Sequence, residues 1–179
     1  MQYMKRRNMR KLTGLRPQDL LVLLKIISLK NDRWRTTDLA NELFMSQSEV
    51  SAALFRNRYA GLIDDSKRAV YRESLLELLI HGVKYVFPQK PGAVVRGMPT
   101  AHSAPPLSEL IHSKESVYVW RDDEGTVRGE EIVPLYPTVP KAARIDKSFY
   151  ELVALVDAIR VGKTREYRLA VDELTKKIL

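Results

Sequence analysis

A chain of 179 residues with a net charge of +8 and no cysteine can bury a substantial core, but it cannot form disulfides, thiolate metal sites or a cysteine nucleophile. Its longest apolar runs, at 20–24 and 152–156, fall far short of the roughly 20 residues that span a bilayer, and no apolar stretch follows the basic N-terminus as in a secretory signal. A cytoplasmic protein without a membrane segment is expected. The three histidines, His81, His102 and His112, do not fall at zinc-ligand spacing, so neither a metal nor a cofactor is expected.

The positive excess sits at one end. Residues 1–35 hold ten basic and two acidic side chains, whereas 36–90 and 91–179 are each balanced in sign. Such an arm suits a polyanion, because each neutralised phosphate releases a condensed counterion; a solvated tail is the plainer reading. The arm covers residues 1–14. Arg16-Pro17-Gln18-Asp19 then opens a helix with proline near its first turn, and Leu20, Leu21, Leu23, Leu24 and Ile27 carry it at helical spacing to about Lys30. Asn31-Asp32 breaks it. Helices over 37–43 and 47–60 follow, with Gly61 as a left-handed cap. Short strands at 62–64 and 68–71, joined by Asp65-Ser66-Lys67, precede a helix over 72–85.

Residues 88–106 contain five prolines and two glycines and read as irregular. Residues 117–120 form a strand candidate, Asp123-Glu124-Gly125 supplies a turn, and 126–133 returns as its hairpin partner. Two helices, Lys147–Val161 and Thr164–Ile178, close the chain around Gly162. The expected organisation is a basic arm (1–14), a helical unit (15–87), a proline-rich irregular segment (88–108), and a C-terminal hairpin-plus-helices region (109–179) for dimerisation or partner binding.

Residues 37–54 have the spacing of a helix-turn-helix. Ala40 is small where the two helices cross. Leu39, Leu43, Met45, Val50 and Leu54 close the core, and Ser46-Gln47-Ser48-Glu49 reads as an S-x-x-E capping box. With Val50, Ala53 and Leu54 inward, Gln47, Ser48, Ser51, Ala52 and Phe55 face outward. Gln47 suits adenine, and Ser46, Ser48 and Ser51 suit a base or a phosphate. Arg56 and Arg58 are placed for phosphate. Thr36 or Thr37 caps the preceding helix beside exposed amides. The turn position usually held by glycine is Phe44.

From Arg35-Thr36-Thr37-Asp38-Leu39-Ala40 through Met45-Ser46-Gln47-Ser48-Glu49-Val50-Ser51 to Arg58-Tyr59-Ala60-Gly61-Leu62-Ile63, the chain resembles the winged helix-turn-helix of MarR-type bacterial transcriptional regulators. The resemblance covers about residues 15–72. It implies a three-helix core, a β-hairpin wing meeting the minor groove or backbone, and homodimers on palindromic double-stranded DNA. The wing departs from the family pattern: 64–70 is short, and Lys67 and Arg68 are its only basic tips. The expected fold class is α+β, mainly α: a winged helix-turn-helix domain followed by a smaller region with a β-hairpin and a C-terminal helical hairpin.

Other signals carry less. Val161-Gly162-Lys163-Thr164 ends like a phosphate loop, but Asp157 stands where its first glycine belongs. His102-Ser103 lacks the elbow glycines of a nucleophile, and His81 is expected to pack or hydrogen-bond within its helix. Tyr118, Trp120 and Tyr136 fill a core or line an effector pocket. Arg160, Lys163, Arg165 and Arg168 form a solvated face or a second phosphate contact. No catalytic constellation is present, so an enzyme is not expected. The leading expectation is sequence-specific duplex DNA binding by a dimeric regulator; the alternative is an antitoxin-like or adaptor protein whose C-terminal half grips a partner protein.

Overall fold

The computed structural model describes residues 14–31, 33–111 and 116–179; the basic arm through residue 13, Asp32 and His112 lie outside the described residues. The fold is α+β and mainly helical, with one three-stranded sheet. Helix α1 (Pro17–Leu29) places proline in its first turn and ends on Lys30 in the left-handed region, φ 52°. Every residue from Asp19 to Ile27 is buried. A helix apolar around its circumference belongs in the interior, and α1 packs on helices from both halves of the chain.

Helices α2 (Thr36–Leu43) and α3 (Gln47–Tyr59) are joined by Phe44-Met45-Ser46. Leu39, Ala40, Leu43, Met45, Val50 and Leu54 are all buried between them and α1, as their spacing predicts. Helix α3 ends in a Schellman arrangement: the Leu62 amide donates to the Asn57 carbonyl (2.9 Å), the Gly61 amide donates to Arg58 (3.1 Å), and Gly61 has φ 73°. The two strands expected next reduce to one antiparallel bridge, Ile63 with Val70. Helix α4 (Arg72–Glu77), a π turn (Leu78–Gly82) and α5 (Val83–Val86) then follow in succession.

Two expectations about the second half are corrected. The proline-rich segment 88–106 is not irregular throughout: Val94–Pro99 forms strand β1, and a 3-10 turn spans Ala101–Ser103. Helix α6 (Leu107–Leu110) comes next. Strands β2 (Tyr118–Arg121) and β3 (Val127–Glu131) do not form a hairpin. They run parallel to each other, and β1 is antiparallel to both, so the three strands close into a small barrel. So tight a closure needs bare backbone at the contacts. A Cβ on Gly97 would lie 1.9 Å from the Trp120 carbonyl oxygen, and one on Gly129 would lie 2.4 Å from that of Val117.

Helix α7 (Val139–Ile145), not foreseen from the sequence, leads to α8 (Lys147–Val161) and α9 (Thr164–Ile178), whose bounds match the expected pair. Every residue of α8 from Leu152 to Ile159 is buried, Asp157 included. The Asp157 carboxylate accepts from Trp120 Nε1 (2.6 Å), Thr100 Oγ1 (2.9 Å) and Arg160 Nη1 (2.7 Å). It thereby fixes the barrel to α8, and Trp120 lies in the core. One connected hydrophobic core runs from α1 to α9. Among the described residues, no helix is long and apolar enough to cross a membrane.

Candidate functional site

The first two turns of α3 present Gln47, Ser48 and Ser51 to solvent, while Val50, Ala53 and Leu54 on its other side are buried. Ala52 and Phe55 are half-buried, and Arg58 and Tyr59 are exposed at the far end of the helix. Arg58 lies over the Phe55 ring, 5.4 Å from its centroid. The Ser46 hydroxyl accepts from the Glu49 amide (3.1 Å), which caps the helix.

The reciprocal half of the expected capping box is absent. The Glu49 carboxylate turns away from the cap, accepts from Gln18 Nε2 (2.9 Å) and Arg56 Nη2 (3.1 Å), and thereby ties α3 to α1. The Gln18 hydrogen bond, with Arg56 and Arg16 adding favourable charge, outweighs burial and holds the Glu49 carboxyl below the usual range. Glu49 therefore stays ionised, with its charge directed at Arg56 rather than at the outward edge of α3.

Arg56 is the clearest correction. Expected to meet phosphate, it is 1% exposed and donates through Nε and Nη2 to the two carboxylate oxygens of Asp19, at 2.8 and 2.6 Å. The Asp19 hydrogen bond is the largest influence raising its pKa. Asn57, beside it, donates to the Asp19 carbonyl (2.9 Å). These groups orient α3 on α1 from inside. Thr36 and Thr37 do not cap α2 either: the N-cap is Arg35, whose amide is accepted by the Asp38 carboxylate (2.8 Å), and both threonines lie half-buried in the first turn.

At the short turn after α3, Lys67 has φ 60° and is half-buried. Arg68, expected as a free basic tip, is fastened instead. Its guanidinium stacks on the Trp34 ring at 4.6 Å and donates to the Trp34 carbonyl (2.5 Å). The turn is braced by Asp64, whose carboxylate accepts from the Arg68 and Ala69 amides (2.6 and 2.9 Å) and from the Ser66 hydroxyl. Those bonds, that of Ser66 foremost, pull its pKa down to about 2.

Sequence reasoning missed Lys141. It is exposed on α7 with its ammonium 5.8 Å from the Phe44 ring centroid, and the neighbouring Thr138 hydroxyl donates to the Leu43 carbonyl (2.7 Å). Phe44 occupies the left-handed region, φ 53° and ψ 41°, so the turn keeps its shape without glycine. The C-terminal half also reaches α1. Lys25, fully buried, pairs with Asp146 (2.6 Å) and Glu42 (2.5 Å), and Asp146 caps α8 through the Phe149 amide (2.9 Å).

The remaining residues separate clearly. His81 is exposed on the π turn rather than packed. His102 is buried, edge-on to Tyr118 at 4.7 Å, with Nε2 2.9 Å from the Ser116 carbonyl. Its neighbour Ser103 accepts from the Tyr118 amide (2.9 Å), so both side chains tie this turn to the start of β2, while His102 Nδ1 is buried with no partner among the described residues. Arg160 belongs to the Asp157 cluster rather than to a solvated face; Arg165 and Arg168 are exposed. Among the described residues no group of three or more histidine or acidic side chains is arranged to hold a metal. Comparison of the chain with protein-family models, curated proteins and solved structures finds no match.

Proposed function

We propose that residues 15–87 act as a winged helix-turn-helix domain that binds specific double-stranded DNA, with α3 as the recognition helix, in a dimeric bacterial-type transcriptional regulator. The observation that carries this reading is the two-sided character of α3. Gln47, Ser48 and Ser51 are exposed on its first two turns, while Arg56, Asn57 and Glu49 lock its other side onto α1. A rigid helix with a polar leading edge suits base readout in the major groove. Gln47 is assigned to adenine, and Ser46, Ser48 and Ser51 to base or backbone, beside Ala52. Arg58, Lys67 and the first turn of α2 at Thr36 and Thr37 are assigned to phosphate, and Arg16 and Lys141 join them as flanking cations. Arg56 and Arg68 serve as braces. The positive residues of the 1–35 segment supply the non-specific attraction.

The test is selection from a random duplex pool with the full chain, followed by anisotropy titrations across salt. An enriched sequence is expected, with affinity falling by a log–log slope of about −0.9 per phosphate neutralised. Gln47→Ala should weaken the enriched site by about 1–3 kcal/mol and leave the melting temperature in place. Sedimentation should give a dimer. Failure to enrich any sequence, or full affinity in Gln47→Ala and Ser51→Ala, would overturn the assignment.

A second reading, a partner-binding adaptor or antitoxin-like protein, is supported by Tyr85, Val86 and Val133. All three are more than half exposed, and Arg160 reaches the carbonyls of Phe87 and Val133 together. Retention of one protein by wild type but not by a Tyr85→Glu variant supports it; a homodimer that retains nothing rejects it.

A further inference from the structure

A hollow of about 440 Å³ lies where the end of α1, the Arg68–Val70 turn, the start of α4 and the last turn of α9 meet. Four of its nine described lining residues are cations, Lys30, Arg68, Arg72 and Lys177, and none of those nine is acidic. Ile26, Ile27 and Val70 give it an apolar wall. The volume lies in the range of small-molecule sites, which typically combine apolar lining with a few convergent polar groups.

Three of the cations are positioned by bonds that leave further donors unused. Arg68 is stacked on Trp34 and gives Nη1 to its carbonyl. Arg72 gives Nη1 to the Ile178 carbonyl. Lys177 pairs with Glu151 (2.6 Å), a carboxylate that also faces Lys147 (3.9 Å). A guanidinium has five N–H donors and an ammonium three, so each retains capacity after these contacts. Lys30 ends α1 in a left-handed conformation, is exposed, and has no carboxylate on it among the described residues. With Lys177 already paired to Glu151, Lys30, Arg68 and Arg72 from three segments still give the recess a positive field that favours an anion.

We infer that this hollow binds a small phosphorylated molecule. Phosphate offers several acceptor oxygens to two guanidinium forks and an ammonium at once, and the apolar wall takes the uncharged remainder. The recess is concave and of small-ligand volume, whereas duplex backbone requires an extended surface. The inference is separable from the DNA reading: Arg68, Arg72 and Lys177 are given no base or phosphate there, and Lys30 enters it only through the general positive charge of residues 1–35.

The experiment titrates the full chain with inorganic pyrophosphate by calorimetry at fixed ionic strength, with amide shifts recorded at Ala69 and Val70. Saturable binding of one equivalent is expected, with shifts at both amides. Lys30→Ala should raise the Kd by about tenfold, the scale of one charge-assisted hydrogen bond, while Lys30→Arg restores it and neither variant moves the melting temperature. Absence of saturable binding, or an unchanged Kd in Lys30→Ala, overturns the site. Loss of duplex affinity in Lys30→Ala without any pyrophosphate binding assigns the hollow to nucleic-acid backbone and overturns it equally.

Discussion

Arg56 and Asp19, 37 residues apart, meet inside the protein as a two-pronged ion pair, with both side chains at most 1% exposed. Removing one partner of such a pair strands the other charge in a low-dielectric interior, which typically costs 3–5 kcal/mol. Arg56→Ala should therefore lower the urea midpoint by the equivalent of about 3–5 kcal/mol. Replacing both partners, as Asp19→Leu with Arg56→Met, should recover most of that loss. Retention of wild-type stability in the single variant would contradict the buried pairing.

The turn at Phe44 gives a second test, because a left-handed residue with a Cβ costs roughly 1–2 kcal/mol that glycine avoids. Phe44→Ala and Phe44→Gly both lose the ring over which Lys141 sits, so their difference isolates the backbone. Phe44→Gly should be the more stable by about 1 kcal/mol, read from thermal or urea melts. Equal stabilities would mean that the turn does not hold φ near 53°.

Acid sensitivity follows from Asp64 and Asp146. The Ser66 hydroxyl and the Ala69 and Arg68 amides hold Asp64 at about 2 against an ordinary 3.8. For Asp146, burial pushes the pKa upward, but Lys25, the Phe149 amide and Ser28 together bring it below its usual value. Both carboxyls bind protons more weakly folded than unfolded, so their contribution is full above the ordinary carboxylate range and falls away as pH drops through the folded values. Urea midpoints measured on the acid side should decline from about pH 4 downward, and Asp64→Asn should flatten part of that decline. A slope unchanged by Asp64→Asn would remove Asp64 as a cause.

The helices were legible because their apolar residues repeat at fixed spacing: α1, α3, α8 and α9 emerged within a residue or two of their observed ends. What the spacing could not show is which polar residue folds inward. Glu49, Ala53 and Arg56 share one edge of α3 at intervals of four and three. That hint became meaningful only with Asp19 facing it across a gap of 37 residues. The barrel was hidden for a related reason. Strand β1 pairs with both later strands, a non-local arrangement that no short-range hairpin signal encodes. The proline-rich surroundings of β1 disguised it as a loop, although Gly97 and Gly129 already marked two places of close backbone approach.

That barrel also limits how anything can attach to the β region. Among the described residues each of the three strands has both of its neighbours within the same closed ring, which shortens the open rows of amides and carbonyls of the kind that template aggregation or capture an extended peptide. A protein meeting this end of the molecule finds mainly side chains and shape to recognise. Single surface substitutions there can therefore separate partners that backbone pairing would have accepted alike.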